Sequence, residues 1–289
     1  MTTRSVRSRL PWVGLQFPLR TLLVLMLLAS ILCSWLGVKM QRAREQREAV
    51  EAIKKLGGEV GYYSEDPFEP PAWLRPPAWL RGLLGEDFLN RVDVVSFSGG
   101  QVTDAGLEHL ERLTDLKVLS LSGSHVTGAW LEHLKRLKSL KGLSLSGSQV
   151  TDAGLEHLEG FANLTALSFN GTQATDAAME HLKGLRQLQM LLLDNTKVTD
   201  AGLDRLNGLS RLRMLSLDGT KVTDAGLVYL KRLTQIERLY LNHTHVTDTG
   251  LEHLQSFSRL KELHLNGTRV TDAGVTKLRR ALPECKIDR

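Results

Sequence analysis

Triplets of the Val-Thr-Asp type recur along the chain at one fixed interval, beginning at Val102, Val126, Val150, Ala174, Val198, Val222, Val246 and Val270. The interval is 24 residues every time, without one insertion. A unit this short holds one strand and one helical turn or two, and it cannot bury its own apolar side; neighbouring units must stack and bury a continuous core between them. Inside a unit the leucines are as regular: Leu131, Leu134, Leu137, Leu140, Leu143 and Leu145 follow Val126, and the same offsets repeat in later units. Spacing by three tightens at the end to spacing by two, which marks a helical half followed by a strand.

The strand half reads Leu116-x-x-Leu119-x-Leu121-x-x-Ser124-x-Val126, and later units carry Thr172, Thr196, Thr220, Thr244 and Thr268 at the serine position. This pattern resembles the leucine-rich-repeat family, LxxLxLxxNxL, with Ser or Thr where Asn is commonest. The VTDAGL half is similar to the variable part of the cysteine-containing subclass and of membrane-anchored bacterial repeat proteins. The resemblance covers residues 92–289 and implies an α/β solenoid, a curved parallel sheet with short helices on its convex side, used to bind other molecules.

Each unit also reads sensibly residue by residue. Thr103, Thr151, Thr199 and Thr223 are placed to cap the following helix, and the next Asp lies where the helix dipole favours negative charge. The Ser/Thr row predicts a stacked ladder of hydroxyls bonded to turn backbone. Glycines such as Gly123 and Gly147 suit the turn that leaves each strand. Both ends need covers. Trp79, Leu80, Leu83, Leu84, Phe88 and Leu89 suggest a cap helix over 79–91, ahead of a first strand containing Val92, Val95 and Phe97. After Pro283, Cys285 and Ile287 suggest a short last strand, with Cys285 a capping core residue rather than a reactive thiol.

Ahead of the repeats, residues 21–38 form an uncharged apolar run bracketed by Arg20 and Lys39. At ~1.5 Å per residue eighteen residues span roughly 27 Å, enough for one transmembrane helix with snorkelling ends. A cleaved signal peptide is the rival reading, with residues 1–20 as its basic tail; no small-x-small site follows the run, which favours a retained anchor. Four Lys/Arg precede the span and six follow within twenty residues. That count places the repeats inside, whereas the short Arg-bearing tail has the form of a signal anchor; the second consideration favours repeats on the extracytoplasmic side. Residues 39–58 read as a helix leaving the membrane, either a solvated stalk or a surface or dimerising helix. Residues 59–78 read as a proline-rich linker, with a PxxP ligand as the other possibility.

Charge excludes one broad class. The chain carries a net +5, yet residues 1–60 hold ten Lys/Arg against four Asp/Glu, leaving the repeats near neutrality; a nucleic-acid partner is not expected. Two cysteines, Cys33 and Cys285, offer no disulfide framework or zinc spacing. His109, His133, His157, His181 and His253 share one repeat position, which copying explains, so no metal and no cofactor is expected. No GxSxG elbow, phosphate loop or HExxH occurs, so no enzyme is expected.

The outward positions of the strands remain. In the first three they are small and hydroxylic: Ser96, Ser98, Ser120, Ser122, Ser144 and Ser146. Later strands present Met190, Leu192, Asp194, Met214, Asp218, Arg238, Tyr240, Asn242, Glu262 and His264, the mix of apolar, aromatic and Arg side chains typical of a protein-binding patch. These ten are the candidate ligand-binding residues, on the concave face, for an unidentified protein or peptide. A structural, envelope-organising role without a discrete ligand is the alternative. A ubiquitin-ligase-type adaptor is a lesser one, and it needs an F-box-like segment between 60 and 91.

Overall fold

The computed structural model describes residues 19–62, 90–99 and 102–289. The cap helix expected at 79–91 and most of the proline-rich stretch lie outside the described residues. The chain forms two units, residues 1–44 and residues 45–289. In the first, helix α1 (Leu19–Lys55) begins and carries one apolar stretch long enough to cross a membrane. Its side chains from Leu23 to Val38 face outward, with the Lys39 ammonium over the Trp35 ring at 5.1 Å, an arrangement that suits an interfacial anchor.

The second unit is one ten-stranded sheet in sequential order: β1 (Gly58–Gly61), β2 (Val94–Ser98), β3 (Val118–Ser122), β4 (Gly142–Ser144), β5 (Ala166–Ser168), β6 (Met190–Leu192), β7 (Met214–Ser216), β8 (Arg238–Tyr240), β9 (Glu262–His264) and β10 (Lys286–Asp288). Strands β2 to β10 pair parallel, each in register with the residue 24 positions on. Leu119, Leu143, Leu167, Leu191, Leu215, Leu239 and Leu263 are all buried, and the leucines of the helical halves pack over them. These leucines form the continuous core that the spacing implied. The returning halves are 3-10 turns at 104–112, 129–136, 153–160 and 176–182. Further on they contain α-helices: α2 (Asp200–Asp204), α3 (Asp224–Leu230), α4 (Asp248–Leu254) and α5 (Asp272–Ala281).

At the N-terminal end the described residues supply a cover that the sequence reading did not include. Residues 39–58 are not a solvated stalk to their end: Ala49, Val50 and Ile53 of α1 are buried in the repeat core. The chain then turns at Gly57 and adds β1 antiparallel to β2, where a linker was expected to start. The antiparallel strand fits because it ends the ladder rather than extending it. Gly58 is required there, since a Cβ would fall 2.5 Å from the Phe97 ring and 2.6 Å from Ile53. At the other end α5 stops at Ala281, and Cys285 and Ile287 close the core through β10. Burial pushes the Cys285 thiol up to about 11, so it is protonated at neutral pH and unreactive.

The Ser/Thr hydroxyls bond turn backbone as expected, each within its own unit. Each donates to a carbonyl three residues back in its own turn, as Ser124 does to Leu121, Thr196 to Leu193 and Thr244 to Leu241, at 2.7 Å in each case. The inter-unit tie is made instead by the Asp of the triplet. Asp224 accepts the Thr247 N–H at 2.8 Å and the Thr247 hydroxyl at 2.6 Å. The same two-bond clamp joins Asp104 to Thr127, Asp152 to Thr175, Asp176 to Thr199, Asp200 to Thr223 and Asp248 to Thr271. From Thr175 on, the threonine also accepts a backbone N–H at the helix start, whereas Thr103 does not cap. The ladder lapses once, where the triplet reads Val126-Thr127-Gly128, and Gly128 instead packs directly on Gly154. Trp130, in the place usually held by glycine, is buried, and its indole N–H has no hydrogen-bond partner among the described residues.

Candidate functional site

On the open face of the sheet the side chains fall into three rows. The first runs Val118, Gly142, Ala166, Met190, Met214, Arg238, Glu262, Lys286 in strict register. Small residues thus give way to two methionines, then to alternating charge. Met190 and Met214 are neighbours, and both are half-buried rather than freely exposed; Arg238 is exposed.

The second row is Ser120, Ser144, Ser168, Leu192, Ser216, Tyr240, His264, Asp288. Its first part is occupied with itself, through hydroxyl–hydroxyl bonds between Ser120 and Ser122 at 3.1 Å, Ser122 and Ser144 at 3.3 Å, Ser144 and Ser146 at 3.2 Å, and Ser146 and Ser168 at 2.7 Å. Its last part holds a compact group. The Tyr240 and His264 rings stack with centroids 4.7 Å apart and planes at 19°. His264 Nε2 meets Glu262 at 2.9 Å and its Nδ1 meets Asp288 at 3.4 Å. The bond from His264 holds the Glu262 carboxyl below its ordinary value. Burial, and then the Glu262 charge, raise the Tyr240 phenol, with Arg238 opposing. Tyr240 is therefore a neutral hydrogen-bond donor on a rigid, half-buried platform.

The third row, just past the strands, is Asn170, Asp194, Asp218, Asn242, Asn266, and it is structural. Asn170 donates to Asp194 at 2.8 Å and accepts the Asp194 N–H at 2.9 Å. Asp218 accepts both the N–H and the amide of Asn242, at 2.7 and 2.9 Å. Asn242 accepts the Asn266 N–H at 2.8 Å. Asp194 further accepts the Asp218 N–H at 3.1 Å and the Ser216 hydroxyl. Burial raises the Asp194 carboxyl above its ordinary value and the Asp218 charge adds to the rise, while the bonds from Ser216, Asp218 and Asn170 oppose it.

Of the ten residues singled out in the sequence, six gather into one surface: Met190, Met214, Arg238, Tyr240, Glu262 and His264. Leu192 lies on the same row but is set apart from Tyr240 by buried Ser216. Asp194, Asp218 and Asn242 spend their polar atoms on the neighbouring turn. Asp288, from the closing strand, joins the group and was not anticipated; the short final strand was the only signal for it. On the opposite side His133 pairs with Glu111 at 2.8 Å, beside a cleft of about 790 Å³ that Glu45, Glu48 and Arg112 also line. Among the described residues no cluster has the geometry to hold a metal ion.

A family model described as "Leucine Rich repeat" matches residues 259–278. No curated protein sequence matches the chain. Among solved structures the chain is similar to internalin C2 of Listeria monocytogenes, at 28% identity and a TM-score of 0.55, over 68% of this chain and 80% of that one. It is also similar to a second internalin of that organism, at 23% identity and a TM-score of 0.53, over 63% of this chain. The chain spans about half of that protein, 50% of its length. The two structures share the stacked parallel-strand fold.

Proposed function

Since the chain is a leucine-rich-repeat protein, we propose that it is a membrane-tethered, non-catalytic binding module that grips a protein or peptide on the open face of its last five strands. Leucine-rich-repeat proteins generally act as protein-interaction modules, and the carrying observation here is the gradient along the face. Its first strands present hydroxyls bonded to one another, whereas β6 to β10 present two methionines, an exposed guanidinium and a stacked Tyr240–His264 pair. Rigid aromatics and Arg beside apolar side chains lose little entropy on contact and contribute most of the energy of protein interfaces. Five strands at ~4.8 Å spacing extend roughly 20 Å, the width of a peptide or one edge of a small domain. Residues 21–38 supply the tether.

Site-specific photocrosslinking in intact cells tests this reading. A benzoylphenylalanine at 240 gives a discrete adduct that is lost with Arg238→Ala, and the same probe at 120 gives none. Equal labelling at both positions, or no adduct at 240, would sink the proposal.

A further inference from the structure

One rim of the repeat unit carries a feature that the open face does not use. The residue after each turn Ser/Thr is His125, Gln149, Gln173, Lys197, Lys221, His245 and Arg269 in successive units, and all seven side chains are exposed. In the first three units the position carries no formal charge, and His125 and Gln149 are bonded to each other at 2.8 Å. In the last four it is Lys197, Lys221, His245 and Arg269, three of them fixed cations. None of Lys197, Lys221, His245 and Arg269 makes an ion pair with a described residue, although Lys183, Arg205, Lys261 and Lys277 all do. The carboxylates three residues away are committed elsewhere: Asp200, Asp224 and Asp248 to the threonine clamps, Asp194 and Asp218 to neighbouring turns, and Asp272 to Arg289.

Copying of one ancestral residue does not account for the stripe, because the position changes from His and Gln in the first three units to Lys, Lys, His and Arg in the last four. The backbone holds these residues at ladder spacing: Lys197 N–H bonds Ala174 O at 2.9 Å, and His245 and Arg269 bond Val222 O and Val246 O at 3.0 Å. At ~4.8 Å per unit the four side chains form a line roughly 15 Å long and one residue wide. An unpaired line of charge in a nearly neutral domain is a local recognition element, not a general basic field.

We infer that this rim, Lys197–Lys221–His245–Arg269, is a docking line for an extended acidic polypeptide segment of about five residues. Acidic side chains on alternate residues of an extended chain lie ~6.6 Å apart, so two or three of them span the line. A lipid headgroup plane fits a broad patch rather than a single file of side chains. A nucleic-acid strand would call for stacking aromatics and a wider basic field, and the near-neutral repeats offer no such field. The rim is a surface separate from the Met190–His264 group, so the inference stands whether or not that group binds a partner.

The full chain in zwitterionic nanodiscs, titrated by fluorescence anisotropy with a labelled twelve-residue Glu-Ser alternating peptide at low salt, tests it. Saturable binding is expected, weakened about tenfold or more by K197E with K221E and tightened about two- to threefold by H245K, from ~1 kcal/mol or less per exposed charge pair. Those side chains are exposed, and unchanged melting confirms that the fold survives. Absence of saturable binding, or binding indifferent to K197E/K221E, overturns the inference. So does tighter binding of a twelve-nucleotide oligothymidylate or of phosphatidylserine vesicles. Loss confined to the Arg238→Ala/Tyr240→Ala variant assigns the peptide to the open face and overturns the rim.

Discussion

Removing one clamp carboxylate should unlock the stack at a chosen place. In Asp224→Ala, Thr247 loses the acceptor of its N–H, at 2.8 Å, and of its hydroxyl, at 2.6 Å. A hydrogen bond to a charged group contributes about 1.5–3 kcal/mol, and a partly buried N–H left unpaired costs about 1–3 kcal/mol. Because Asp224 is half-exposed and water replaces part of what is lost, about 2–3 kcal/mol is expected for the pair. For a domain of this size that lowers the melting temperature by about 4–12 °C, read by circular dichroism on the detergent-solubilised chain. Asp224→Asn should cost about 1 kcal/mol, since its Oδ1 still accepts the N–H and its amide donates to the hydroxyl. The location of the effect matters more than its size. In a stack of units the damage stays near the broken joint, so the Thr247 amide should exchange about 30-fold faster with deuterium while amides of β2 to β5 do not change. The protein supplies its own control. Thr151 faces Gly128 instead of Asp, so its amide should already exchange faster than that of Thr247 in the unaltered chain. Asp224→Ala melting within 1 °C of the original, with Thr247 still protected, would refute the clamp as the inter-unit tie.

Three further outcomes follow from other parts of the fold. Gly58→Ala drives a methyl into Phe97 and Ile53; about 1–3 kcal/mol should be lost, with faster exchange confined to β2 and β3. His243 sits at φ 56° and Asn195 at φ 54°, in the turn position that Gly219 and Gly267 hold at φ 67° and 70°. His243→Gly should therefore gain about 0.5–1 kcal/mol, while Asn195→Gly, replacing a residue that tolerates this region, should change stability less; urea midpoints compare the two. Asp194 titrates in the opposite sense from a salt-bridged carboxylate. Its folded pKa is raised by burial and by Asp218, so folding takes up a proton, and stability falls as pH rises from the unfolded value through the folded one. Asp194→Asn should accordingly compare better with the original chain at pH 7 than at pH 4; an advantage that grows on acidification would contradict the direction of the shift.

What the sequence made legible was the in-register part of the molecule. A strict period places Leu119, Leu143 and Leu167 above one another, and alternation within a strand sends Met190 and Leu192 outward; both follow from repeat geometry alone. What it concealed were relations between units. Asp224 looks like a helix-dipole residue when its unit is read alone, because the threonine it binds lies 23 positions on, in a neighbour with the same letters. Only the one departure, Gly128, marks the position as a joint. Asp194, Asp218 and Asn242 were read as ligand side chains for the same reason: they point outward, and their hydrogen-bond partners are the backbone and side chains of neighbouring turns. The N-terminal cap was half visible. The spacing of Val50, Ile53 and Leu56 announced an amphipathic helix, but nothing local said that its apolar side would close the first repeat.

The two halves of the stack differ in one consistent way. From β2 to β5 the open face is serine bonded to serine, the rim is uncharged, and the returning segments are 3-10 turns. From β6 onward the face carries Met190, Met214, Arg238 and the Tyr240–His264 pair, the rim turns basic, and the returning segments contain clamped, capped α-helices. Repeat copying alone predicts drift without direction, yet face, rim and helix change together at the same joint. A polar group that finds partners within the domain adds nothing to recognition, so the bonded serines make the first half a poor ligand surface. Arg238 is exposed, and Lys197, Lys221 and Arg269 make no ion pair with a described residue. Binding, on this reading, belongs to the C-terminal half, and the first half with its α1 and β1 cover holds that half's core closed.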